Sequence, residues 1–251
     1  MKQILILWFF TFTSFVKADL TPYLKYSLSG SGSFYPYFTH NPEKPGIFPE
    51  TVEAILSHAE IRGENLLLPA KRTNAYLEQQ QIDFDIISPD WLNDEQKKDP
   101  RYIYSEPILS IREYIVTRPS HPPALTLTGK KVGTVRGYYY HDDNQFHRVD
   151  FASERELLLA LKLKRIDYII IGDLPAQYWS EQLGVAFIFN QLHSEGMLAF
   201  RLLAKHKKLL KPLNQAIAAL KQAGEFERIE RQYTSTLPLN KNTPVNHALA
   251  N

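Results

Sequence analysis

Two seven-residue stretches far apart in the chain nearly repeat: Gln-Ile-Asp-Phe-Asp-Ile-Ile at 81–87 and Arg-Ile-Asp-Tyr-Ile-Ile-Ile at 165–171. Each follows a segment with helical spacing, and each runs into a loop bearing an aspartate, Asp90 or Asp173. A short apolar run closed by turn residues reads as a buried strand. Strands alternating with helices build βαβ units on largely parallel sheets. The echo therefore implies an α/β fold of two similar lobes.

The rest of the chain fits that alternation. Leu24 to Leu28 reads as a strand entering the turn-forming Ser29-Gly30-Ser31-Gly32-Ser33. Pro49 suits a first helical turn. Val52, Ile55, Leu56 and Ala59 follow on one helix face, with Gly63 as the stop. Asn65 to Leu68 and Phe84 to Ile87 read as strands, with a weaker helix from Arg72 to Gln80 between them. Past Gly129, strands are predicted over 131–135, 147–151, 168–171 and 185–189. Ser153 and Glu156 form a capping box ahead of the leucine-rich helix 154–164. A further helix runs from Leu174 to Gln182, and Pro212 opens another with Leu213, Ala216, Ile217 and Leu220 on one face. Gly224 breaks it, and Phe226, Ile229 and Tyr233 make a last apolar stripe. The polar segment 237–251 reads as a disordered tail.

The first 18 residues read as a signal peptide: Lys2, an apolar run from Ile4 to Phe10, then Val16-Lys17-Ala18 at the cleavage site. The apolar stretch of about 13 residues is too short to span a hydrocarbon core of roughly 30 Å. It also lacks the polar face of a buried globular helix. Of 29 basic residues, cleavage after Ala18 removes Lys2 and Lys17, which balances the 27 acidic ones. A balanced charge argues against nucleic acid, which needs a basic footprint. The chain has no cysteine, so disulfides, thiol catalysis, Cys-zinc sites and a lipid anchor on cysteine are excluded. The expected location is the periplasm of a Gram-negative cell, and the expected form a monomer.

Ligands of open α/β sheets sit outside the C-terminal ends of the strands. The loops there offer Tyr35 and Tyr37, Arg72, Ser88 and Trp91, Arg136 and Tyr138, and Asp173. Arginine suits a carboxylate, aspartate an ammonium, and rings the body of a small polar solute. Each has a plainer role open to it. Tyr35 and Tyr37 can pack under their loop, Trp91 can be a surface anchor, and Arg72 and Arg136 can be solvated. Asp173 caps the helix after it in any case. His141, Asp142, Asp143 and His147 cluster in sequence, but such polar loops are mostly solvated, and no metal or cofactor is expected. The chain has no His-Glu-x-x-His, no Gly-x-Ser-x-Gly and no phosphate loop. No catalytic residue is expected, and Glu195, His193 and Asp173 are the acids and bases an enzyme would have to use.

Several motifs, in order, resemble one family. Tyr35-Pro36-Tyr37-Phe38 is similar to its Tyr-Pro-Pro-Phe after the first strand, and Tyr104-Ser105-Glu106-Pro107 to its Phe-Ser-x-Pro. Gly46-Ile47-Phe48-Pro49-Glu50 stands where it has Gly-Phe-Asp-x-Asp. Gly129-Lys130-Lys131-Val132-Gly133 matches its Gly-Lys-x-Val-Gly. Leu220-Lys221-x-x-Gly224, with Ile229 and Tyr233, looks like its closing helices. The family is the bacterial extracellular solute-binding proteins of family 3, which serve polar amino acid uptake on a type-2 periplasmic binding fold. The resemblance covers about residues 22–235. It implies two lobes with two crossings, near Leu109–Tyr114 and Glu195–Phe200. Lobe one would comprise 19–112 plus 197–236 and lobe two 113–196. A small polar solute, an amino acid or related compound, would bind between them for an ABC-type transporter with an inner-membrane permease. A ligand sensor acting on a membrane receptor, and a dehydratase-like enzyme, are the alternatives. The resemblance places Arg72 and Asp173 at family positions. The family's Thr-x-x-Arg clamp is absent, with Lys97 or Lys98 near its place, and Gly137-Tyr138-Tyr139 replaces its Gly-Thr/Ser pair.

Overall fold

A computed structural model describes residues 21–28, 34–39, 41–124 and 126–235. The expected signal peptide, the Ser29–Ser33 loop and the expected tail lie outside the described residues. No helix among the described residues is long and apolar enough to cross a membrane.

In the first part of the chain, β1 (Tyr23–Tyr26) leads to α1 (Ile47–His58), β2 (Arg62–Asn65), α2 (Ala70–Glu78) and β3 (Phe84–Ile87). A 3-10 turn at Pro89–Trp91, α3 (Asp94–Lys97) and β4 (Tyr102–Tyr104) follow. β5 (Leu109–Thr117) then enters a second set: β6 (Lys131–Val135), β7 (His147–Phe151), α4 (Glu154–Lys162), β8 (Tyr168–Gly172) and α5 (Asp173–Leu183). β9 (Ile188–Leu203) returns the chain to a 3-10 segment at Ala204–Leu209, α6 (Leu210–Gln222) and α7 (Glu225–Thr234).

The strands order as β2-β1-β3-β9-β5-β8-β6-β7, with β4 also paired to β9. The β2-β1-β3 and β8-β6-β7 pairs are parallel; α1, α2 and α4 supply crossovers, and a loop joins β6 to β7. β5 and β9 run antiparallel, Leu109 opposite Leu198 through Thr117 opposite Ile188. Beyond that ribbon, β9 continues alongside β3 and β4. The register shifts between Glu113 and Tyr114 and between Ile115 and Val116, and such irregularities re-aim side chains.

Two lobes follow from where the apolar residues cluster. One core gathers Leu24, Tyr26, Val52, Ile55, Phe84, Phe200, Leu213, Ile217, Phe226 and Ile229, drawn from both ends of the chain. Residues 114–187 supply the other, around Val116, Leu157, Leu158, Leu161, Ile169, Ile171 and Ala176, with Ile115, Val132 and Ile170 on the opposite sheet face. The apolar run of 168–171 is explained by those two clusters: it is covered on both sides.

Most expected elements stand within a residue or two of their places, and Phe84–Ile87 coincides. Three differ. The strand expected over 65–68 lies at Arg62–Asn65, because α1 ends at His58, with Ala59 as its cap and Glu60 in the left-handed region at φ 57. Gly63 is then free to pair with Leu24 instead of stopping the helix. The strand expected over 185–189 begins at Ile188 and runs 16 residues. In the capping box, Ser153 accepts from Glu156 N at 3.3 Å, but the Glu156 carboxylate reaches back to Ala152 N, at 3.0 Å.

Candidate functional site

Between the lobes lies a cleft enclosing about 820 Å³, its open mouth included. Lobe one contributes Phe34, Phe48, Asn74, Asp85 and Trp91, and lobe two Tyr138, Tyr139, Tyr140 and Glu154, with Glu113 on the connecting strand β5. The lobes touch around it. Asn74 Nδ2 donates to the Gly137 carbonyl at 3.0 Å. Gly137 sits at φ 89, and a Cβ there would lie 2.3 Å from the Lys71 backbone nitrogen, so only glycine allows this approach. Tyr35 stacks on Tyr178 at 3.8 Å, and Phe34 meets Tyr138 edge-on at 5.9 Å.

Three acids line the cleft, in two kinds of surroundings. Asp85 on β3 lies opposite Arg201 on β9 and forms a buried two-pronged ion pair with it, at 3.0 and 2.6 Å. Arg201 also donates to Asn74 Oδ1 at 3.1 Å. Burial works against its charge, but Asp85 more than offsets this and raises its pKa. Glu113 is 7% exposed and Glu154 3%. Ser194 donates to Glu113 at 2.9 Å, and Tyr138 donates to Glu154 at 2.7 Å. Burial pushes both carboxyls up to about 7; Ser194 and Tyr138 pull them back only in part. The Glu113 charge further raises Glu154. Trp91 completes the wall. Its ring edge packs over Gly196, where a Cβ would lie 2.5 Å away, and its buried Nε1 has no partner among the described residues.

Of the eight candidate residues, Trp91 and Tyr138 line the cleft. Tyr35 closes the lobes against Tyr178, away from the lining. Tyr37 is buried in the core of lobe one, stacked on Phe48 at 4.8 Å. Ser88 is buried and accepts from Asp90 N at 3.3 Å, capping the Pro89–Trp91 turn. Arg72 and Arg136 are exposed and outside the lining, as are Lys97 and Lys98 at the end of α3. Asp173 is buried but engaged: its Oδ1 accepts from Leu174 N at 2.8 Å, and Arg112 faces it at 3.4 Å. Burial raises its pKa, against the pull of Leu174 N–H and Arg112.

The sequence reading missed Glu113 and Glu154. Glu113 is the one acid inside the largely apolar run of β5, and that misfit was the available signal. Glu154 opens a helix, where acids are common for dipole reasons, so nothing marked it. Separately, His141, Asp142 and His193 bring three ligand atoms within 4.8 Å of one another, and His193 Nε2 lies 3.0 Å from Asp142 Oδ1. A metal would find donors there; His147 is not among them.

The sequence matches no family model and no curated protein. Solved structures share its fold. A variant of ArgBP from T. maritima superposes with a TM-score of 0.69 at 18% identity, over 85% of this chain and 95% of that one. A histidine-bound ABC uptake transporter substrate-binding protein from Streptococcus pneumoniae gives 0.67 at 19%, over 85% and 92%. A histidine kinase sensor domain with similarity to periplasmic binding proteins gives 0.68 at 18%, over 87% and 97%. The fold is the two-lobed type-2 periplasmic binding fold, as the sequence motifs implied.

Proposed function

We propose that the chain is an exported solute-binding protein of the family-3 type, freed by cleavage after Ala18 into a periplasm. It captures a small polar solute between its lobes and presents it to an ABC-type transporter in the inner membrane. The observation that carries this reading is the cleft itself: buried polar and aromatic side chains from both lobes face one enclosed volume. A ligand that touches both lobes stabilises their closed arrangement. In this reading lobe one comprises 19–112 plus 197–236, lobe two 113–196, and the β5–β9 ribbon carries the hinge.

A sensing role is the second reading, favoured by one observation: the histidine kinase sensor domain superposes as well as the transporter proteins do. An enzyme finds less support, because the compared structures are binding proteins and sensors.

A thermal-shift screen over amino acids, amines, organic acids and short peptides tests solute capture. A specific ligand raises Tm with its concentration. Silence across all classes overturns solute capture. Turnover of a hit, seen by product analysis, would replace it with an enzyme. Transport and sensing separate on which membrane partner the loaded protein engages.

A further inference from the structure

The cleft is lined by Asp85, Glu113 and Glu154 and, among the described residues, by no lysine, arginine or histidine. Arg201 neutralises Asp85 from behind the lining. Glu113 and Glu154 are held by hydroxyl groups, which donate hydrogen bonds but carry no charge, and His193, which faces Glu113, is paired with Asp142. A buried carboxylate without a cation is costly, and a ligand cation between the lobes removes that cost. The Trp91, Tyr138 and Phe34 rings around the same volume suit a cation and its apolar stem.

A ligand carboxylate, by contrast, finds no cationic side chain in that lining. Arginine forks and helix N-termini are the usual anion partners, and near the cleft the arginines are paired or in solvent and the helix starts are partly occupied. At the start of α4, Ser153 accepts from the Glu156 amide, and the Glu154 amide turns to its own carboxylate. At α5 the Asp173 carboxylate occupies the first-turn amide of Leu174. Gly137 covers the start of α2, seated against Lys71 N. Arg112 faces Asp173, Arg201 faces Asp85, and Arg72 and Arg136 stand in solvent.

Resting on the solute-binding reading, we infer that the cleft takes an organic cation without a carboxylate. Its ammonium or guanidinium group is held by Glu113 and Glu154 against the rings of Trp91 and Tyr138.

Matched pairs that differ by one carboxylate test this: agmatine against arginine, cadaverine against lysine, histamine against histidine. Each is titrated by calorimetry into the full chain at pH 8, beside the broader screen above. The expected result is that at least one amine binds tenfold or more tighter than its amino acid. Glu113→Gln and Glu154→Gln each then weaken it tenfold or more without lowering Tm. Amino acids binding as well as their amines overturn the inference and leave solute capture standing. So does a hit confined to organic acids or peptides, or an amine whose affinity survives both substitutions. No hit in any class overturns both.

Discussion

Asp85 in lobe one and Glu113 and Glu154 toward lobe two are buried to similar degrees, yet their partners differ in kind. Asp85 has the Arg201 guanidinium in a two-pronged pair. The two glutamates have a serine and a tyrosine hydroxyl. Burial alone therefore does not separate architecture from binding; what neutralises the charge does. A pair closed within the protein is structural, while a buried acid hydrogen-bonded by neutral hydroxyls is, in the proposed reading, the one that attracts a ligand cation.

The sharpest way to break this comparison is to remove the internal cation. Arg201→Ala leaves Asp85 buried and unpaired, with an expected loss of about 3–5 kcal/mol. Urea unfolding at pH 7 reads it, and a loss below about 1 kcal/mol would show that Asp85 is neutralised otherwise.

The glutamates should respond in the opposite direction. Their folded-state pKa of about 7 lies above the usual 4.5. The folded protein thus keeps protons that the unfolded chain releases, so stability is full below about 4.5 and falls as pH rises through 7. The charged and titratable groups facing Glu113 are His193 and Asp142, and Glu154 faces Glu113 itself. Tyr138 and Tyr140, both pushed well up by burial, stay neutral over this range. Glu113→Gln or Glu154→Gln should therefore gain stability on the order of 2–3 kcal/mol at pH 8 and nothing near pH 4. Thermal melts across that range measure the difference. Because the two acids interact, the double variant should gain less than the sum of the singles.

Smaller effects are expected where the lobes meet and at the surface. Gly137→Ala puts a Cβ against Lys71 N at a positive φ. It should cost about 1–2 kcal/mol and weaken ligand binding, with a larger radius of gyration in solution scattering. Arg72→Ala and Arg136→Ala, both exposed, should stay within about 0.5 kcal/mol of the parent. Their ligand affinity should not change.

The parts legible in the sequence were those whose surroundings stay constant along their length. Tyr168–Gly172 is covered on both faces, so its residues are uniformly apolar, and Phe84–Ile87 is apolar but for Asp85, which Arg201 neutralises. The stripe Phe226, Ile229, Tyr233 faces one core throughout. β9 was not legible, because its residues pass from lobe two across the crossing into lobe one. Asn190, Gln191, Ser194 and Glu195 therefore break any alternation. Site residues chosen by type and loop position divided along similar lines. Trp91 and Tyr138 have rings that seek cover and face the cleft. Arg72 on α2 and Arg136 beside Tyr138 have long charged side chains that find water instead. Glu113 escaped notice because it sits mid-strand, where packing is the usual reading.

The seat of Gly137 on the start of α2 has a further consequence. That contact is made by backbone on both sides, with Asn74 as the one side chain that fastens it. Glu154, which faces the cleft from lobe two, has no part in it. The lining at Glu154 and the docking at Gly137 are thus separately heritable: the first can drift by single substitutions while the second is inherited unchanged. On such a scaffold, descendants of one binding protein can diverge in diet without relearning how to close.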